Sequence, residues 1–130
     1  MWLSTLGTTQ RHTMLRLAHN VIVSDGLLDP NEEGMLVELK QEIGLSEIDE
    51  LEYLEVEGIQ DVFEDQRSRI IVLINLIKLS YVDGAFEIEE ECLVKQIARA
   101  FDIAENDFLL LDNWVRRLSA LEEEAEAFFD

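Results

Sequence analysis

Two short acidic segments of the chain carry carboxylates at matching positions. One spans residues 24–33 and the other spans residues 82–91, with an offset of 58 residues from Asp25 to Asp83. Superimposing the segments pairs Asp25 with Asp83, Asp29 with Glu87, and Glu32 with Glu90. Sets of carboxylate oxygens bind hard divalent cations, so calcium, magnesium or manganese is favoured over zinc. Cation binding is therefore one function that the doubled spacing allows.

The spacing of glycine and glutamate in each segment matches the second half of an EF-hand loop. Counting Gly26 as the sixth loop residue makes Glu32 the twelfth, where that loop has its bidentate glutamate, and the second segment matches in the same way. The first half of the loop does not match, because its first and third positions in the first copy are Val21 and Val23. One copy cannot supply the about six to eight oxygens that calcium requires, so an EF-hand is excluded.

The same residues also satisfy ordinary helix-end chemistry. Asp25-Gly26 suits the end of a helix, since glycine adopts the left-handed conformation that follows a last turn. Asp29 suits an N-cap, Pro30 the first helical position and Glu32 the third. A duplication would preserve these roles without any metal. On the residues alone, cation binding and helix capping both remain open.

Few other residues in the sequence could act as ligands or nucleophiles. His12 and His19 lie two turns apart on one predicted helix, and no third histidine supports a metal site. Neither histidine completes the Glu-x-x-His pair of a carboxylate-bridged dimetal bundle. Cys92 is the only cysteine, which excludes an internal disulfide and is typical of a reducing compartment. Its place in a helical pattern predicts a small buried side chain. No enzymatic activity is expected, and no catalytic or organic-cofactor site is predicted.

Helical periodicity predicts that the acidic segments connect helices. The predicted helices run over about 8–23, from Pro30 to about 43, from Ser46 to Gly58, over 67–82, from about 88 to 101, and from Asn106 or Asp107 to about 118, with a helical turn near 60–64. Residues 67–82 are apolar nearly all round, which predicts a central helix. Residues 121–130 either extend the last helix or fray. No alternating strand pattern is present, so the fold class is all-α.

The 58-residue offset continues outside the acidic segments. Downstream of the first segment, apolar residues coincide with apolar residues of the second half: Leu36 with Val94, Leu39 with Ile97, Ile43 with Phe101, and Leu45 with Ile103. Such an extended offset indicates a duplicated supersecondary unit. We expect one domain over 1–130, a bundle of about seven helices, with one helix–DG-turn–helix–helix unit over about 10–58, a second over about 67–118, and an acidic C-terminal tail over 121–130.

The charge of the chain restricts its partners. Ten lysines and arginines stand against 29 aspartates and glutamates, for a net charge of −19. Nucleic acid is not an expected partner, because its recognition needs clustered basic residues. Anionic membrane surfaces are disfavoured for the same reason. The sequence has neither a signal peptide nor an apolar run of membrane-spanning length. We therefore expect a cytoplasmic protein that is not an integral membrane protein and whose protein partners have basic surfaces.

The doubled motif resembles the TerB-like family, the all-helical domain associated with tellurite resistance. Its hallmark is a duplicated Asp-Gly element with a glutamate six residues after the glycine, represented here by 25–32 and 83–90. The resemblance covers about residues 10–118. It implies a helical bundle without enzymatic activity, a role in stress or tellurite resistance, and binding of a divalent cation. Carried over residue by residue, the cation ligands are Asp25, Glu32, Asp83 and Glu90, with Asp29 and Glu87 in support.

Two functions follow from these observations. The first is a TerB-like stress or tellurite-resistance module that binds a divalent cation through the doubled motif. The second is an acidic protein-interaction or scaffold module in which the Asp-Gly motifs are only helix caps. The second function predicts an exposed apolar patch rimmed by acidic residues. The region from Trp114 to Phe129 is where that patch is expected, with a contribution from Trp2.

Overall fold

The computed structural model describes residues 1–24, 30–45, 53–81 and 88–130, except for the side chains of Asn31 and Glu32. A short 3-10 helix, Leu3–Thr5, precedes six α-helices in these ranges. They are α1 (Thr8–Ile22), α2 (Pro30–Glu42), α3 (Ile59–Val62), α4 (Gln66–Ser80), α5 (Ile88–Ala100) and α6 (Glu105–Glu126). The described ranges contain no β-strand, which confirms the all-α class for this part of the chain.

Helix α4 is the centre of the bundle, and it packs against α1, α5 and α6. Most of its side chains are buried, as the apolar character of residues 67–82 predicts. Its first turn is capped by Asp65, whose Oδ2 accepts a hydrogen bond from the backbone N–H of Ser68 at 3.1 Å. The Ser68 hydroxyl also donates to Asp65, at 2.7 Å to Oδ1. The cap thus satisfies one of the N-terminal amide groups that have no partner within the helix.

Helices α2 and α5 end with the same hydrogen-bond pattern. The Leu45 N–H donates to the Lys40 carbonyl at 2.8 Å, and the Ile103 N–H donates to the Ala98 carbonyl at 2.9 Å. In each case the preceding residue is left-handed, with a φ of 75° at Gly44 and 58° at Asp102. Both ends are Schellman motifs, and each turns an apolar residue back onto the core.

The predicted helix from Ser46 to Gly58 is not present over residues 53–58, and its remaining part, 46–52, lies outside the described residues. The side-chain amide of Asn20 on α1 binds both backbone groups of Leu54. Its Nδ2 donates to the Leu54 carbonyl at 2.8 Å, and its Oδ1 accepts from the Leu54 N–H at 3.4 Å. Because these backbone groups are bound to α1, they are not available for helical hydrogen bonds. The count of about seven helices is therefore not reached in the described ranges.

The last helix is longer than its apolar pattern predicts. Helix α6 begins at Glu105 after the N-cap Ala104, rather than at Asn106 or Asp107, and continues to Glu126. Phe108 and Val115 are its buried residues. An ion pair of 3.2 Å between Lys78 Nζ and Glu122 Oε1 ties its C-terminal half to α4. Residues 121–126 therefore extend the helix.

Candidate functional site

The six candidate ligands are described to different extents. Asp25, Asp29, Asp83 and Glu87 lie outside the described residues, and so does the side chain of Glu32. Glu90 is the candidate whose side chain the structure describes. It lies in the first turn of α5 and is 4% exposed.

The residues that flank the two motifs line one cavity of about 560 Å³. Ser24, which directly precedes Asp25, lies on its α1 side. Ile88 and Glu89, which belong to the second acidic segment, lie on its α5 side. The other lining residues are Asn20, Val23, Tyr53, Cys92, Leu93 and Gln96. One concave surface thus joins the end of α1 to the beginning of α5.

Three consecutive glutamates at the start of α5 have different surroundings. Glu89 is exposed and lines the cavity. Glu91 is half-buried and forms a 3.0 Å ion pair with Lys95 one turn later. Only Glu90 points into the protein interior. Burying a carboxylate costs on the order of several kcal/mol unless an opposite charge or hydrogen-bond donors compensate it. Glu90 is therefore the acid of this turn whose environment is the least like that of a solvated surface residue.

No group of three or more histidine, cysteine, aspartate or glutamate side chains within the described ranges is arranged to hold a metal ion. Cys92 is exposed on the cavity wall. The cysteine lies beside the cavity rather than in the buried position that the helical pattern favours.

His19 lies on α1 one turn before Val23, and it is half-buried. Burial lowers the pKa of its imidazole, and the nearby positive charge of Lys40 lowers it further. Its Nδ1 has no hydrogen-bond partner among the described residues. The lowered pKa favours the neutral form of this half-buried imidazole.

The sequence did not single out a polar cluster between α4 and α6. The Tyr81 hydroxyl donates to Asp112 Oδ1 at 2.6 Å and accepts from Arg116 Nε at 2.9 Å. Arg116 also pairs with Asp112 at 3.3 Å, and its guanidinium lies 5.6 Å from the centre of the Tyr81 ring. Burial raises the pKa of Tyr81, and the bond to Asp112 raises it further. In the sequence, this cluster is indicated only by the i, i+4 spacing of Asp112 and Arg116. The packing of α4 against α6 brings Tyr81 to them.

A second, smaller cavity of about 190 Å³ lies between the end of α5 and the start of α6. Its lining includes the charged residues Lys95, Arg99 and Glu105 and the apolar residues Ile103 and Phe108. The two cations and the carboxylate balance each other in part, so this cavity does not select a ligand of one charge.

No family model, curated protein or solved structure matches this chain. The resemblance to the TerB-like family thus depends on the residues of the doubled motif. Within the described ranges, no helix combines the length and the apolar character required to cross a membrane.

Proposed function

We propose that this protein is a non-enzymatic, cytoplasmic TerB-like module of stress or tellurite resistance that binds a divalent cation. The ligands are carboxylates of the doubled motif: Asp25, Asp29, Glu32, Asp83, Glu87 and Glu90. Calcium, magnesium or manganese is preferred over zinc, because the ligand set contains only oxygen.

The observation that carries the proposal is the cavity between α1 and α5. Its walls include Ser24 on one side and Ile88 and Glu89 on the other, so residues adjoining both motifs share one surface. One motif has too few oxygens for a complete calcium shell. We propose that the second motif supplies the additional ligands.

Helix positions support the duplication on which this site depends. Helix α1 covers residues 8–22 and α4 covers 66–80, while α2 covers 30–42 and α5 covers 88–100. Both pairs are related by the 58-residue offset of the motifs. The left-handed residues Gly44 and Asp102 that end α2 and α5 have the same offset. We propose that these units arose by duplication and that each contributes half of the ligands.

The burial of Glu90 also favours the proposal over capping alone. A carboxylate that interacts only with the N-terminal end of a helix normally stays in contact with water, whereas Glu90 is 4% exposed.

The test is thermal unfolding of metal-stripped protein with added calcium, magnesium, manganese or zinc. A cation that binds the native state stabilises it by about 2.7 kcal/mol at about 100 times its Kd. For a chain of this length, that increment raises the Tm by about 10 °C. The double variant Asp25→Asn/Asp83→Asn should lose this response, and Glu90→Gln should weaken it.

The matched control is Asp61→Asn/Asp107→Asn, which makes the same charge change at exposed positions outside the motifs. This variant should respond to the cation as the wild type does. An absent response in the wild type, or an equal response in both double variants, would show that the Asp-Gly motifs are helix caps. The protein would then be better described as an acidic protein-interaction module.

A further inference from the structure

Helix α6 carries an apolar stripe that the bundle covers only in part: three of its six residues are exposed, and Trp114, Leu118 and Ala125 are half-buried. The stripe consists of residues that recur every three or four positions: Leu110, Trp114, Leu118, Leu121, Ala125 and Phe128. This spacing places them along one side of a helix. Leu110 is 67% exposed, Leu121 60% and Phe128 86%. The buried residues Phe108 and Val115 lie on a different side of α6, which packs on the core.

The stripe continues past the last α-helical residue and is widened by aromatic side chains. The N–H groups of Phe128 and Phe129 bind the carbonyls of Ala125 and Glu126, each at 3.0 Å, so the chain keeps turning. At the other end, the rings of Trp2 and Trp114 lie 6.3 Å apart. Large exposed apolar surfaces on soluble domains are commonly binding sites, and aromatic residues contribute much of the energy there.

The charges around the stripe determine which partner suits it. Residues 118–130 contain five acids and no lysine or arginine: Glu122, Glu123, Glu124, Glu126 and Asp130. All five are exposed, and Glu122 among them pairs with Lys78. Arg116 and Arg117 adjoin the N-terminal half of the stripe, so the excess of acidic charge lies along its C-terminal half. A partner therefore has to combine apolar residues with flanking positive charges. A second copy of the chain is a poor partner, because it would bring two molecules of net charge −19 together.

The shape of the stripe determines the conformation of that partner. From Leu110 to Phe128 it extends about 27 Å at the rise of a helix. Such a narrow, straight apolar surface is complementary to the apolar side of another helix, which packs along it through residues at the same spacing. We propose that the exposed side of α6 binds a basic amphipathic helix of a partner protein. This inference uses no residue of either acidic motif, so it does not depend on cation binding.

The test uses a synthetic helical peptide of leucine and lysine, about 18 residues long, with leucine at every third or fourth position. The chain contains two tryptophans, Trp114 within the stripe and Trp2 beside it, so tryptophan fluorescence reports binding directly. We expect saturable binding with a Kd of about micromolar magnitude. Raising the NaCl concentration from about 50 to about 500 mM should weaken it, since salt screens the charge attraction.

Two variants separate the stripe from the general acidity of the protein. Leu121→Ser/Phe128→Ser removes two exposed stripe residues and should weaken binding at least about tenfold. Leu109→Ser/Val37→Ser is the matched control, because both residues are about half exposed and lie outside the stripe. The control should bind within about twofold of the wild type. Circular dichroism of both variants should show unchanged helix content, since all four residues are exposed.

Three results would overturn the proposal. The first is equal binding of a scrambled peptide with the same composition, which would mean that charge alone attracts it. The second is equal weakening in both double variants. The third is a dimer in sedimentation equilibrium that Leu121→Ser/Phe128→Ser abolishes, because the occupant of the stripe would then be a second copy of this chain.

Discussion

Arg69 on α4 holds the C-terminal end of α5 through Phe101. Its Nη1 donates to the Phe101 carbonyl at 3.0 Å, and its guanidinium lies 5.8 Å from the centre of the Phe101 ring. The same guanidinium donates to the carbonyls of Phe63 at 2.6 Å and Gln60 at 3.1 Å. The Phe63 and Phe101 rings meet edge to face at 5.6 Å, and both are fully buried. One side chain therefore binds three carbonyls that helix ends leave without partners.

Replacing Arg69 by lysine should destabilise the protein although the charge is kept. An ammonium cannot reach three separate carbonyls in the fork geometry of a guanidinium. Losing two of the three bonds should lower the free energy of unfolding by about 1–3 kcal/mol. Urea unfolding measures this change, with Arg117→Lys at an exposed α6 position as the control. Equal midpoints for the two variants would contradict the role of Arg69.

Asn20→Ala should release the backbone around Leu54 from α1. Asn20 is 1% exposed and binds both backbone groups of Leu54, so its removal leaves a donor and an acceptor without their partner. The expected loss is about 1–3 kcal/mol. Hydrogen exchange should accelerate at the Leu54 amide in particular. Asn113→Ala, at an exposed position on α6, should change neither quantity. Unchanged exchange at Leu54 in Asn20→Ala would show that the segment is held by other contacts.

Two glycine-to-alanine substitutions should have opposite signs. Gly44 has a φ of 75°, where a side chain is strained, so Gly44→Ala should destabilise the protein by about 1 kcal/mol. Gly34 lies within α2, and a Cβ there would meet nothing within 4 Å. Gly34→Ala should therefore stabilise the protein by about 0.5–1 kcal/mol through helix propensity. Thermal unfolding of both variants checks the pair, and a shared sign would be inconsistent with this backbone geometry.

His19 should make stability depend on pH near neutrality. Its pKa is lowered from 6.5 by burial and by Lys40, so the unfolded chain binds the proton more tightly than the native one. This contribution to stability is fully present above pH 6.5 and is lost as the pH falls below that value. His12→Asn leaves one imidazole, whose titration by NMR should give a pKa below 6.5. Adding His19→Asn should flatten the decline in urea stability between about pH 7 and pH 5.5.

Tyr81 should make the stability of the protein depend on pH at the alkaline end of the range. Its pKa is raised above 10.0 by burial and by the hydrogen bond to Asp112, so the native state retains the phenol proton longer. The stability from this group is complete below pH 10 and is lost as the pH rises through the raised pKa. The absorbance of tyrosinate in the wild type minus that of Tyr81→Phe should have its midpoint above pH 10. A midpoint at or below 10 would contradict the buried bond to Asp112.

Most helices could be predicted because their signals are local. The limits of α1, α2, α4 and α5 follow from apolar periodicity together with residues that start or end a helix. The helix predicted from Ser46 to Gly58 is absent over its described part, 53–58. The reason is that the side chain of Asn20, 34 residues before Leu54, binds the backbone of Leu54. A local pattern does not contain that contact. The sequence does not decide where α6 ends for a similar reason, because the ion pair between Lys78 and Glu122 joins segments that are distant in the chain.

The candidate site divides in the same way. The six carboxylates and their doubled spacing could be read from the sequence, and their binding of a cation stays a prediction. Tertiary structure alone distinguished Glu90, which is buried, from its neighbours Glu89 and Glu91, which have the same charge and helix propensity. It also placed Ser24 and Glu89 on two sides of one cavity.

By itself, the sequence determined the all-helical class of the described ranges, the ends of four helices and the strongly acidic charge. These properties depend on residue type and on spacings of a few residues, which a linear pattern contains. The tertiary structure decided which glutamate is buried, which apolar residues of α6 remain uncovered, and that residues 53–58 are not helical. Those outcomes depend on contacts between segments far apart in the chain, and burial is a property of the packed protein rather than of any one residue.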